Sequence, residues 1–427
     1  MDNKLISQIN QINPWLKDNS LSIIPAMSYV LRQQMSTLLL PAWDKLVTVL
    51  VGPRQVGKTT LGKLLCQKLI KQKRFEQLLY LNCDNPLIRH WLDGIHIIDE
   101  LVDEFNLKKF ILFIDEAQRL ESPGLLIKSL IDLQLPIKIL VTGSSQLEIR
   151  SKIQEHLTGR QFEATILPLS YQELGTSLEL DTQLIYGCYP QIVVEKEKRL
   201  LLSQLYQNYI NRDIIEILRV GHPIILEKMM TLIAHSSGQL LNYQTLANDC
   251  NVSVTMIKHY LSILEKTYVL QTIYPFTGNK RTEITSNPKC YYLDNGFRNQ
   301  ALGNFISLEN RTDKGLLVES AVFQEILKFK LQHFLSFKIF FWRTKGGAEV
   351  DFILYNNPDD FVPIEVKYQN LKEPALSRSF RSFIDAYHPK KGFVITNQFK
   401  ATLQIKQTEI IFLPLQKLEQ LFKDIVI

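Results

Sequence analysis

Cysteine is scarce in this sequence of 427 residues, and the five that occur, Cys66, Cys83, Cys188, Cys250 and Cys290, are scattered with no C-x-x-C pair and no nearby histidines. Such spacing suggests neither a zinc site nor a disulfide framework, so a reducing cytosol is the expected setting. Long apolar runs are missing as well. No stretch is long enough to span a bilayer. Met1 to Ser20 mixes Asp, Lys, Asn and Gln with apolar residues and lacks the uninterrupted apolar core of a secretory signal. The excess of one charge is small, a net +6, which is compatible with a polyanionic partner but names none. There is no internal repeat and no low-complexity tract. Apolar residues at 45% and charged residues at 22% are ordinary for a folded chain, and this length leads us to expect about two to four domains.

What is present begins with alternation. Strand-like runs at Leu46 to Val51, Gln77 to Asn82, Phe110 to Ile114, Ile137 to Thr142 and Phe162 to Leu167 are separated by helical patterns. That order predicts an α/β domain with a parallel sheet covered by helices. After Pro168 the pattern turns helical, as in Leu200 to Ile217, and reads as a helical lid or connector.

Gly52-Pro53-Arg54-Gln55-Val56-Gly57-Lys58-Thr59 matches G-x-x-x-x-G-K-[ST] and lies between the apolar run Leu46 to Val51 and the helical Leu61 to Ile70. In that context the loop is expected to cradle the phosphates of ATP with backbone N–H groups. Lys58 would reach the β and γ phosphates and Thr59 would offer its hydroxyl to Mg²⁺. Phe110 to Ile114 then ends in Asp115-Glu116, placing two acids at the carboxyl edge of the sheet, where ligands of parallel sheets sit. Asp115 would hold the magnesium shell and Glu116 would orient and deprotonate the attacking water. Past the next strand, Ser144 or Ser145 would either position water or cap a helix over Gln146 to Ile153.

These residues resemble the AAA+ ATPases, and more closely the bacterial and archaeal ATPase family that carries a C-terminal domain of uncharacterised function. The resemblance runs through Gly52 to Thr60, Asp115-Glu116-Ala117-Gln118, Thr142-Gly143-Ser144-Ser145, Leu157-Thr158-Gly159-Arg160, Gly187-Cys188-Tyr189-Pro190 and Asn211-Arg212-Asp213. Cys188 stands where the family usually has a second glycine. The resemblance implies that Thr60 joins the ATP loop and that Arg160 is an arginine finger or γ-phosphate sensor, with Arg150 and Arg212 as competitors. It also implies a homo-oligomer, a ring or partial ring, in which the finger acts from a neighbouring subunit.

Between Leu226 and Ile273 three short helical patterns precede a β-rich stretch, the order of a winged helix-turn-helix. Tyr243 to Ala247 would form one helix, Asn251-Val252-Ser253 the turn and Val254 to Lys266 the second helix. Val252, Met256, Tyr260, Ile263 and Leu264 would face inward and Thr255, Lys258, His259 and Ser262 outward. A basic wing tip would include Lys280 and Arg281, between strands around Val269 to Ile273 and Cys290 to Leu293. Such a module would grip duplex DNA or serve only as a protein dock.

In the last segment Asp351 begins a strand-like run, and Glu365-Val366-Lys367 lies on the next, where Glu365 and Lys367 share a face. Two carboxylates with a lysine suit metal-dependent phosphodiester cleavage, with Asp351 and Glu365 as metal ligands. Glu319, on the helical pattern Leu316 to Phe329, would add a third carboxylate. The arrangement resembles the PD-(D/E)xK phosphodiesterase fold, with Val350 in place of the usual proline. Cleavage or a catalytically inactive binding domain are both open.

The expected architecture is therefore an AAA+ P-loop ATPase domain at 1–175, with 1–40 a helical extension, and a helical lid or connector at 176–225. A winged helix follows at 226–305 and a restriction-endonuclease-like α/β domain at 306–427. ATP and Mg²⁺ are the expected cofactors, DNA (forked, branched or duplex) the expected partner, and no membrane is involved. A signalling or scaffold ATPase with an inactive tail is the competing expectation.

Overall fold

The computed structural model describes residues 3–18, 21–24, 29–94, 97–143, 157–177, 179–216, 221–277, 283 and 286–425. The chain divides into two compact units, Met1–Leu167 and Pro168–Ile427.

The first unit is built on five strands, β1 (Val47–Val51), β2 (Gln77–Asn82), β3 (Phe110–Asp115), β4 (Ile137–Gly143) and β5 (Gln161–Thr165). They pair in the order β2-β3-β4-β1-β5 and every pairing is parallel. All residues of β1 and β3 are buried, because a parallel sheet is covered on both faces and its strands become continuous apolar runs. This is the α/β arrangement that the alternating pattern predicts.

The edge strand β2 is closed by the helix α1 (Asn3–Ile12) and the turn after it. Asn13, fully buried, imitates a neighbouring strand. Its Nδ2 donates to Tyr80 O at 2.8 Å and its Oδ1 accepts from Tyr80 N at 2.7 Å. Trp15 Nε1 donates to Leu78 O at 2.9 Å. An open edge is a template for unwanted pairing, and here the chain covers its own.

The second unit carries an eight-stranded sheet. Its strands are β6 (Leu270–Pro275), β7 (Lys289–Tyr292), β8 (Lys338–Arg343), β9 (Glu349–Asn357), β10 (Asp360–Lys367), β11 (Lys391–Thr396), β12 (Ala401–Ile405) and β13 (Thr408–Pro414). The order is β12-β13-β11-β10-β9-β8-β6-β7. Because β6 pairs in parallel with β8 through Tyr274 with Phe340 and Pro275 with Phe341, the two expected wing strands run into the sheet of the tail. The expected division at residue 305 is thus finer than the compact units, and it crosses a continuous sheet. Trp342, Ile353, Phe380, Phe383 and Phe412 form much of the apolar core on one side.

Before β6 lies the helix-turn-helix pattern. Asn242 caps α2 (Tyr243–Cys250) by accepting from Gln244 N and Thr245 N, Asn251 ends it in the left-handed region, and Ser253 caps α3 (Val254–Lys266). Ile257, Tyr260, Leu261, Ile263 and Leu264 are buried, whereas Val252 and Met256, expected inside, are only half-buried. The departure at Cys188 is explained by geometry. A Cβ on Gly187 (φ +78°) would lie 1.9 Å from Asp294 Oδ1, so that position requires glycine. Position 188 is not among the left-handed residues and accommodates a buried thiol.

Asn13→Ala should cost about 2–6 kcal/mol, since it strips partners from one buried N–H and one buried C=O at roughly 1–3 kcal/mol each. Urea unfolding measures it, and a change under about 0.5 kcal/mol would show that the clamp contributes nothing.

Candidate functional site

The phosphate loop, residues 52–57, joins the carboxyl end of β1 to α4 (Lys58–Lys71). Gly52 has φ +144°, and a Cβ there would fall 2.0 Å from Ile166 O, so the loop can turn at this point only with glycine. Lys58, Thr59 and Thr60 open α4, whose first N–H groups have no partner within the helix and face the loop. Lys58 is buried, and its Nζ donates to Gly52 O at 2.9 Å and Pro53 O at 2.8 Å.

Asp115, at the end of β3 and buried, collects three hydroxyls from three elements. Thr59 Oγ1 lies 3.0 Å from both carboxylate oxygens, Tyr80 OH donates to Oδ2 at 2.7 Å, and Thr142 Oγ1 donates to Oδ1. Thr142 also accepts from Glu116 N at 3.0 Å, so one side chain of β4 sets both acids. Glu116 sits in the left-handed region at φ 56° and receives Gln118 Nε2 on Oε2 at 2.5 Å. Burial pushes the Tyr80 hydroxyl well above the usual tyrosine range and Asp115 adds to the rise, which keeps this donor protonated. A hard oxygen-seeking cation fits this set: the Thr59 hydroxyl and the Asp115 carboxylate would hold Mg²⁺, which would neutralise phosphate charge.

The structure therefore brings together the loop, Lys58, Thr59, Asp115 and Glu116. Tyr80 and Thr142 escaped the sequence reading. Thr142 stands just before the Ser144 and Ser145 that drew attention, and both serines lie outside the described residues, as does Arg150. The side chain of Arg212 is also outside them. Arg160 is elsewhere. Val47 N donates to Arg160 O, which sets Arg160 beside the first residue of β1, roughly 13 Å of strand from the residue that enters the loop. Its guanidinium pairs with Asp132 at 3.2 Å, both half-exposed. A γ-phosphate sensor acting within its own chain is corrected by this placement.

In the second unit Thr255, Lys258 and His259 are exposed on α3 and Ser262 is half-buried. Lys258 Nζ lies 5.0 Å from the centre of the Tyr243 ring. Lys280 and Arg281 lie outside the described residues.

Asp351 on β9 and Glu365 on β10 stand at the end of a strand pair whose register closes at Phe352 with Ile364. Val366 N donates to Asp351 Oδ2 at 2.7 Å, and Lys367 Nζ is 3.8 Å from Glu365 Oε2. Glu319, on α5 (Lys314–Gln332), is close enough to Asp351 to raise its carboxyl. Among the described residues no group of three or more Asp, Glu, His or Cys could hold a metal ion. A residue not foreseen is found there instead. Lys289 of β7, 2% exposed, lies 3.1 Å from Glu319 Oε1 and 2.5 Å from Glu349 Oε1. Burial pushes the Asp351 carboxyl well up and Glu319 adds to the rise, against the pull of Lys289. Burial also raises Glu365, opposed by Ser377 and Lys367. Glu365 Oε2 is buried without a hydrogen-bond partner.

Residues 44–175 match the family model of the AAA domain. The first unit thus has the parallel-sheet fold of an AAA domain. Residues 177–307 and 314–418 match two models described as domains of unknown function, DUF8612 and DUF4143. An uncharacterised protein of Mycobacterium tuberculosis is 27% identical over 344 residues, 79% of this chain and 73% of its own. Another from Haemophilus influenzae is 24% identical over 389 residues, 86% of this chain and 92% of its own. Among solved structures, the ORC1 protein of Aeropyrum pernix in complex with DNA is 12% identical, with a TM-score of 0.29, covering 68% of this chain and 96% of that one. No helix among the described residues is long and apolar enough to cross a membrane.

Thr142→Val, which keeps the shape and removes the hydroxyl, should lower kcat for ATP about 10- to 100-fold, the usual effect of losing a group that orients a ligand-bearing acid. KM for ATP should change little, because the loop is untouched. Steady-state kinetics decide it, and a mutant with unaltered kcat would remove Thr142 from the site.

Proposed function

We propose that this chain is an ATP-binding, Mg²⁺-dependent ATP hydrolase of the AAA+ type whose turnover drives the binding and remodelling of DNA. The observation that carries the reading is the single network that joins Thr59, Asp115, Thr142 and Glu116. It joins Asp115 and Glu116 to the first turn after the phosphate loop, which supports reading them as the magnesium-holding and the water-activating acid. In this scheme Lys58 and the backbone of residues 52–60 hold the triphosphate, Thr59 and Asp115 hold the metal, and Glu116 takes the proton of the attacking water.

Arg160, a strand's length from its own loop, serves this proposal only as a finger offered to the next protomer of a homo-oligomer. DNA would be met by the exposed Thr255, Lys258 and His259 of α3, the outward face of a helix preceded by a capped turn. A second reading, in which nucleotide state switches a protein interface, draws support from the sparse positive charge of that face. Lys258 is already drawn towards Tyr243.

Lys58→Ala should abolish ATP turnover, whereas Glu116→Gln should retain ATP binding and stall hydrolysis; retained turnover in Glu116→Gln would reassign the base. On DNA, Lys258→Ala should weaken binding uniformly across sequences and lower the slope of log K against log salt by about one. Absence of DNA binding even at low salt, together with ATP turnover indifferent to DNA, would leave the switch reading in possession.

A further inference from the structure

The Asp115 carboxylate depends on a strand at the edge of its sheet. In the order β2-β3-β4-β1-β5 the strand β2 has a single neighbouring strand, β3, yet it supplies Tyr80, whose hydroxyl donates to Asp115 Oδ2 at 2.7 Å. Edge strands hold their places less firmly than central ones, because backbone pairing on one side leaves them open to local unfolding. A side chain that must aim an acid is poorly served by such a strand alone.

Residues 3–16 supply the missing support. Asn13 takes both backbone groups of Tyr80, at 2.8 and 2.7 Å, and Trp15 Nε1 donates to Leu78 O at 2.9 Å. Asn13 is itself fixed, since its backbone N and its Nδ2 both donate to Ile9 O, at 3.0 and 2.9 Å, and Ile9 is fully buried. Beyond the end of β2, Asn85 caps the helix Pro86–Leu92 and donates its Nδ2 to Gln8 Oε1 at 2.9 Å. The ring of Tyr80 is held as well. Lys63 Nζ lies 3.9 Å from its centre and 5.8 Å from that of Trp15, and Phe113 of β3 meets it edge to face with ring centres 5.2 Å apart. Lys63 stands four residues after Thr59 on α4, so one face of that helix carries both.

We propose that Tyr80 is a positioning residue of the nucleotide site, and that residues 3–16 act through it to set how strongly that site holds Mg²⁺. The inference rests on the proposed ATP site, in which the Thr59 hydroxyl serves the metal. The Asp115 carboxylate then keeps one donor on each oxygen, Thr142 on Oδ1 and Tyr80 on Oδ2. Two donors on two oxygens fix the plane of the carboxylate. With one of them gone the group can turn, because its last torsion is broad rather than confined to narrow wells. Groups that orient a metal ligand typically carry about 10- to 100-fold of the metal affinity. Thr142 comes from β4, which is paired on both sides; Tyr80 comes from the edge, and it is the donor that needs a holder.

The test measures binding of a fluorescent ADP analogue to the full-length chain, once with Mg²⁺ and once with EDTA. The ratio of the two dissociation constants is the Mg²⁺ enhancement. Tyr80→Phe should lower the enhancement about 10-fold and leave the affinity in EDTA unchanged, since the phosphate loop is untouched. Asn13→Ala should lower it too. Combined with Tyr80→Phe it should lower it no further than Tyr80→Phe alone, because a residue that acts through another adds nothing once that other is gone. Should Asn13→Ala fail to fold, Trp15→Phe, which removes one hydrogen bond and keeps an aromatic ring, takes its place in both measurements. An undiminished enhancement in Tyr80→Phe overturns the proposal, as does an equal loss of affinity in EDTA, which marks a merely structural role. Losses that multiply in the double variant, or an enhancement that no change in residues 3–16 alters, overturn the part assigned to that segment. If Mg²⁺ does not strengthen ADP binding even to the unaltered chain, the proposed ATP site fails and this inference with it. Enhancement that is present in the unaltered chain and survives Tyr80→Phe leaves the ATP site standing and removes only the positioning role.

Discussion

The arrangement on which the nucleotide site depends is the Asp115 carboxylate, held by the hydroxyls of Thr59, Tyr80 and Thr142. The three come from the first turn of α4, from β2 and from β4, so the position of the acid reports on the alignment of a helix and two strands. Register supplies the alignment: Asn82 faces Asp115 across β2 and β3, which puts Tyr80 one same-face step behind it. The chain protects that register at the sheet edge, where Asn13 supplies the hydrogen bonds of a missing strand to the same Tyr80 whose hydroxyl reaches the acid. An N-terminal segment far from the phosphate loop in sequence is in this way part of what aims the site.

Much of this was legible in the sequence for a physical reason. Parallel strands covered on both faces must be apolar throughout, so Val47–Val51 and Phe110–Asp115 announce themselves as uninterrupted runs. The phosphate loop is legible because glycine at position 52 is enforced by the carbonyl of Ile166. The helix pair α2 and α3 is legible because Asn242 and Ser253 are side chains that cap, and Asn251 tolerates the left-handed turn between them.

What escaped reading is what depends on distant pairing. The union of β6 with β8 joins segments more than sixty residues apart through two residue pairs, and no local pattern encodes it. The last hairpin, β12 with β13, is short and interleaves polar residues, as in Thr402 and Gln404, on a partly exposed edge. The place of Arg160 was not legible either, because a motif shows which residue type is present but not which end of a strand it occupies. Lys289 opens Lys289-Cys290-Tyr291-Tyr292, all four buried; a buried charge needs a partner because one without it is too costly to keep, but only the fold shows that this run is buried.

The two acidic sites of the chain differ in the donors they receive, and that difference argues for their separate roles. Around Asp115 the donors are neutral hydroxyls. They fix the carboxylate in direction without bringing a positive charge of their own. Around Glu319 and Glu349 the chain supplies a full positive charge from Lys289 and a second from Arg343. Those pairs tie the β6–β7 hairpin to the sheet beside it. Similar carboxylates at strand ends are thus held by neutral hydroxyls in one unit and by ammonium and guanidinium groups in the other.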